Sequence, residues 1–148
     1  MRKICINLLV RNAKVPVTIE WDNEERTILR QTYQGNWTNE EYIAAARNII
    51  AVIDGSPHKV YLIVDFSKST TNPRLTLSAM GAGEKQQTTD KTALIVLYRV
   101  PIYVKLLLGP ARIIVPDTMK RLIVVDTEED AYAAIHRHMH AERASSAS

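Results

Sequence analysis

The sequence holds little of what most extracellular, membrane-spanning or phosphate-handling chains are built from. It has one cysteine in 148 residues, Cys5, so no disulfide can close within the chain. A lone thiol suits a reducing compartment, where it behaves as a small hydrophobe. Glycine is scarce, at five residues, and the glycine-dependent signatures are missing: no Walker A loop, no Gly-x-Gly-x-x-Gly and no Gly-x-Ser-x-Gly. Gly81-Ala82-Gly83-Glu84-Lys85 has neither the spacing of a phosphate loop nor the Ser/Thr that should follow its lysine. The zinc-protease pattern His-Glu-x-x-His is also absent. No run approaches the roughly 18 apolar residues that span a bilayer. Ile4 to Val10, after Met1-Arg2-Lys3, is too short for a signal peptide, ends at Arg11 and lacks a small-residue cleavage site. We read residues 1–15 as an N-terminal strand or arm. Neither sign of charge dominates: 19 basic against 16 acidic residues give +3, and the cations are scattered, so a nucleic-acid partner is not implied. These absences point to a cytoplasmic chain without a transmembrane segment.

What is present is enough apolar content for one core. At 148 residues and 46% hydrophobic, the chain has the size at which a single domain is the rule. Val17, Ile19 and Trp21 alternate with Thr18 and Glu20, the period of a half-buried strand, and Asp22-Asn23-Glu24-Glu25 supplies a turn. A second strand, about Arg26 to Tyr33, should return antiparallel. Gly35-Asn36-Trp37 ends it, and Thr38-Asn39-Glu40-Glu41 has the spacing of a capping box. The helix that follows carries Tyr42, Ala45, Ala46, Ile49, Ile50 and Ile53 on one face and stops at Asp54-Gly55-Ser56-Pro57.

Val60 to Val64 reads as a strand covered on both faces, hence central, ending at Asp65. A polar loop, Ser67 to Asn72, then precedes Pro73, which fits the first turn of a helix facing Leu77 and Met80 inward; Gly81 and Gly83 weaken that helix. Ala93 to Tyr98 is the next buried strand. Pro101 opens an apolar segment to Leu108 with Gly109-Pro110 as a stop or kink, and Ala111 to Val115 fits either helix or strand. Leu122 to Val125 is a further strand. Thr127-Glu128-Glu129-Asp130 caps a last helix whose end holds His136, Arg137, His138 and His140, acids and cations matching the helix dipole. The tail, 141–148, has nothing to bury and is expected to be disordered. Helix-linked buried strands require a partly parallel sheet.

Three stretches carry a family resemblance: Gly35-Asn36-Trp37-Thr38-Asn39-Glu40-Glu41-Tyr42; His58-Lys59-Val60-Tyr61-Leu62-Ile63-Val64-Asp65 with Pro73 downstream; and Val124-Val125-Asp126-Thr127-Glu128-Glu129-Asp130-Ala131. From about Val17 to Met139 the chain resembles small bacterial STAS-like (sulfate transporter and anti-sigma-factor antagonist), SEC14-related domains. The resemblance implies one α/β domain over 1–140, with a mixed sheet of about four to six strands, an N-terminal antiparallel hairpin and about four flanking helices. It also implies regulation or protein association rather than catalysis; separately, no cofactor is expected. In anti-sigma-factor antagonists a phosphorylatable serine opens the helix after the central strand, commonly within Asp-Ser-Ser-Gly. Here Asp65-Phe66-Ser67 resembles the lead-in, but the loop reads Lys68-Ser69-Thr70-Thr71-Asn72-Pro73 and the pattern is absent.

Ser67, Ser69, Thr70 and Thr71 are therefore the candidate phosphorylation or partner-binding positions, set against the plainer reading of an exposed, helix-capping loop. A phosphate there would add a charge of about −1.5 to −2. His136 and His140 lie one helical turn apart, but no cysteine or clustered carboxylate completes a metal site. Asp65 and Asp126 each follow a buried strand, where α/β folds often hold ligands; strand-ending aspartates are more often turn and cap formers, and no catalytic residue is assigned. Ile102, Tyr103, Leu106 and Leu107 belong to a segment apolar almost all round, which must be core or an intermolecular contact. They are the candidate apolar-ligand or interface positions. Together with Trp21, Trp37, Tyr42, Tyr98, Ile113 and Ile114 they leave much apolar surface to hide, from which we expect a homodimer through Pro101 to Val115.

Overall fold

The computed structural model describes residues 4–6, 17–70, 90–114 and 116–146. Six strands form one sheet in the order of the sequence: β1 (Ile4–Ile6), β2 (Val17–Trp21), β3 (Ile28–Gly35), β4 (Val60–Ser69), β5 (Thr92–Tyr98) and β6 (Leu122–Val125). β1, β2 and β3 are successive antiparallel neighbours, and β3 to β6 run parallel. The hairpin thus joins a parallel sheet through β3. Four helices are described: α1 (Asn39–Asp54), α2 (Ile102–Ile114), α3 (Pro116–Lys120) and α4 (Glu128–Ser146).

The alternation of side chains along each strand builds two cores. On the first face Val17, Ile19 and Trp21, Leu29 and Tyr33, and Val60, Leu62, Val64 and Phe66 meet Ala45, Ile49 and Ile53 of α1 and Val104 of α2. On the second face Ile28, Tyr61, Ile63, Leu94 and Val96 meet Ala131 and Ile135 of α4. β4, filled on both faces and flanked by β3 and β5, is the central strand its near-continuous apolar run implied.

Local chemistry fixes the element ends. The Thr38 hydroxyl accepts the Glu41 N–H at 3.1 Å, and the Thr127 hydroxyl accepts the Asp130 N–H at 3.0 Å, so both expected helix caps form. Asn23 Oδ1 accepts the N–H groups of Thr27 and Ile28 at 3.0 and 3.1 Å, holding the turn between β2 and β3. The Lys91 ammonium donates to the carbonyls of Asp54 and Ser56 at 2.9 and 2.8 Å, a cation at the carbonyl end of α1.

Three boundaries differ from the sequence reading. β4 continues past Val64 to Ser69, because β3 reaches Gly35 and pairs Gln34 with Lys68 and Gly35 with Ser69; Ser67 and Ser69 are strand residues, not loop residues. α2 runs through Gly109-Pro110 to Ile114, anchored inward by Val104 and Ala111, which settles 111–114 as helix. α4 extends to Ser146, where Ala141, Glu142, Arg143 and Ala144 are good helix formers, so most of the expected tail is helical. The helix expected after Pro73, with Leu77 and Met80, lies outside the described residues, as does most of the N-terminal arm.

Candidate functional site

The most unusual chemistry lies on the second face, at Arg30. Its position in β3 points it beneath α4 beside Ile28 and Thr32, and it is 5% exposed. A guanidinium cannot be buried without partners, and here three elements supply them. Nη1 donates to Asp65 Oδ2 in β4 at 3.0 Å; Nη2 donates to Glu128 Oε1 at 2.7 Å and to the Tyr132 hydroxyl at 3.0 Å, both in α4. Nε lies 3.5 Å from Asp22 Oδ1, just beyond β2, an ion pair in which neither atom has a hydrogen-bond partner. Tyr132 in turn donates its hydroxyl to Asp22 Oδ2. Asp22 and Asp65 are as buried as Arg30, whereas the Glu128 side chain is half exposed.

This environment shifts two groups. Burial lowers the affinity of the guanidinium for its proton, but the charge of Asp22, the contacts with Tyr132 and the charge of Glu128 outweigh it, and Arg30 is pushed above its ordinary value. Burial, followed by its hydrogen bond to Asp22, pushes Tyr132 up to about 12 against the opposing charge of Arg30. The phenol is a protonated donor at neutral pH. The groups are directed at one another, and the cluster ties the end of β2, the interior of β3, the middle of β4 and the start of α4 into one unit.

A second polar feature lies one step along. The free oxygen of Asp65, Oδ1, accepts the Ser67 N–H at 2.8 Å, so the buried cluster braces the strand end that carries the candidate hydroxyls. Ser67, Lys68 and Thr70 are exposed and Ser69 is half-buried. Trp37 Nε1 donates to Ser69 Oγ at 2.9 Å, Ser69 Oγ donates to the Thr70 carbonyl at 2.8 Å, and Thr70 Oγ1 donates to Asn36 Oδ1. Beneath them Trp37, Tyr33 and Phe66 pack ring on ring, Tyr33 and Phe66 stacked at 5.0 Å and 10°. The corner sits at the carboxyl ends of β3 and β4, the edge where parallel sheets commonly meet their ligands. Thr71 lies outside the described residues.

Compared with known proteins, the chain matches no family model, no curated protein and no solved structure. Geometry alone therefore bears on its function.

The remaining sequence candidates separate. Asp65 is a buried partner of Arg30, while Asp126 is exposed in the bend before α4. His138 meets Tyr61, with Oη and Nδ1 2.9 Å apart and the rings edge to face, and His136 and His140 are exposed. In α2, Tyr103 and Leu107 pack against the first core, whereas Ile102, Leu106 and Ile113 are exposed on the opposite side. Among the described residues no group of three or more His, Cys, Asp or Glu could hold a metal, and no helix is long and apolar enough to cross a membrane. Arg30, Asp22 and Tyr132 were not singled out by sequence reasoning. The one available signal was a lone arginine between Leu29 and Gln31 in a strand bordered by apolar neighbours.

Proposed function

We propose that the chain is a non-enzymatic regulatory or protein-interaction module of the STAS-like kind, working through the corner formed by Asn36, Ser67, Lys68 and Thr70. One observation carries this reading. An ordered, solvent-facing set of hydroxyls with one cation stands at the end of an otherwise buried central strand, held by Trp37–Ser69 and Thr70–Asn36 and braced from below by Asp65. Pre-formed polar surface loses little entropy on binding, which suits recognition. The nearby carboxylates of Asp22 and Asp65 are committed to Arg30, which supports binding over acid–base chemistry.

Affinity capture from the source cell with wild type and Lys68→Glu as paired baits tests the reading. A protein retained by wild type and lost by the folded variant is expected, and identical capture by both would overturn it. The second reading, a carrier of a small apolar ligand or lipid, draws on the mostly apolar α2, with Ile102 and Leu106 outward alongside Lys105 and Arg112, and Tyr103 and Leu107 inward. Native mass spectrometry of gently purified protein should then show a retained mass above 16.7 kDa.

A further inference from the structure

Among the described residues β6 pairs on one side only, with β5. An open edge invites pairing, and soluble proteins ordinarily blunt it with lysine, proline, a bulge or an inward charge. Leu122-Ile123-Val124-Val125 is protected by its shortness alone and has none of these: all four residues are apolar, three are β-branched, and none is fully buried. Val124 is 39% exposed, the one strand residue among the exposed large hydrophobics.

The direction of the free backbone groups follows from the ladder. The carbonyls of Arg121 and Val125 accept the N–H groups of Ile95 and Arg99. Odd-numbered residues thus face β5, and by alternation Leu122 and Val124 turn their N–H and C=O groups outward. The ends of the strand carry opposite charge. Lys120 and Arg121 precede it, and Asp126 follows it, ahead of Glu128 and Glu129.

We infer that β6 is a self-association edge, which pairs antiparallel with β6 of a second copy of this chain about a two-fold axis through Ile123. In that register the outward groups of Leu122 meet those of the partner's Val124. The same register brings Lys120, the last residue of α3, to the end of the ladder where the partner's Asp126 follows its β6, and this occurs at both ends. A parallel arrangement would set like charges together, so the charge pattern selects the antiparallel, two-fold pair. The two sheets then join into one of twelve strands, and Val124 is covered by the partner's Leu122 on the same face. This places self-association at the sheet edge rather than on the α2 segment, and it does not depend on the polar corner.

A four-residue ladder is short, so assembly is concentration-dependent, and light scattering on the full chain across roughly 5–500 μM is the measurement. The expected mass rises from 16.7 kDa towards twice that value. Val124→Pro removes an outward N–H without touching the β5 ladder and should hold the chain monomeric with unchanged far-UV circular dichroism. Asp126→Lys should weaken the dimer by roughly 2- to 30-fold through two like-charge pairs, and adding Lys120→Asp should restore it. The charge-swap pair decides the matter if Val124→Pro fails to fold. A wild type monomeric throughout, a double swap without rescue, or a dimer split by Leu106→Asp but not by the β6 variants would overturn the inference.

Discussion

Replacing Arg30 with methionine tests the part of the fold on which the corner rests. The substitution keeps most of the buried stem but removes the cation that Asp22 and Asp65 face. Each carboxylate keeps one neutral donor, the Tyr132 hydroxyl for Asp22 and the Ser67 N–H for Asp65, which moderates the loss without removing it. Glu128, half exposed, is rehydrated and contributes little. Removing one side of a buried ion pair costs about 3–5 kcal/mol, against a total stability of about 5–15 kcal/mol for a domain. Urea unfolding followed by circular dichroism should show the midpoint falling by roughly 1–3 M. Glu128→Gln should cost under about 1 kcal/mol. Adding Asp22→Asn and Asp65→Asn to Arg30→Met should recover part of the loss, because no uncompensated carboxylate then remains buried. An Arg30→Met cost no larger than that of Glu128→Gln would refute the reasoning.

Other outcomes follow from single contacts. The folded-state value of Tyr132, about 12 against an ordinary 10, stabilises the fold below pH ~10. Above that pH the unfolded chain releases a proton the folded chain retains, so about 1–2 kcal/mol should be lost as pH rises from ~10 to ~12; Tyr132→Phe should flatten that limb of a pH-dependent unfolding series. Thr38→Ala removes the cap of α1 and should cost about 1 kcal/mol in thermal unfolding, with Thr38→Ser largely neutral. Trp37→Phe keeps an aromatic ring near Tyr33 and Phe66 but removes the donor to Ser69; a loss of about 1–2 kcal/mol and faster amide exchange at Thr70 are expected.

Local signals made much of the fold legible. The three-four spacing of Ala45, Ile49 and Ile53 placed α1, the threonines at 38 and 127 placed two helix starts, and the unbroken apolar run from Val60 placed the central strand. Two of the three misplaced boundaries share a cause: tertiary packing carried an element past a local stop, whereas α4 runs on through exposed residues by their own helix propensity. Lys68 and Ser69 are strand residues because Gln34 and Gly35 lie beside them, which residues 65–70 taken alone do not reveal. α2 passes Gly109-Pro110 because Val104 and Ala111 are buried on one side of it. The Arg30 cluster was hidden for a stronger reason: its partners come from positions 22, 65, 128 and 132, and only the sheet order brings them together. Asp65 drew notice as a strand-ending carboxylate, yet its partner cannot be inferred from spacing.

The claim that the corner is a protein-recognition surface is tested most directly by photo-crosslinking in the source cell, with the crosslinking residue placed at Lys68 in one variant and at Glu24 in another. Both positions are exposed, and Glu24, in the turn between β2 and β3, lies at the opposite end of the parallel strands. The account predicts discrete protein adducts from position 68 that are absent from position 24. Adducts of equal yield and identity at both positions, or none at position 68 with a folded, expressed protein, would contradict it.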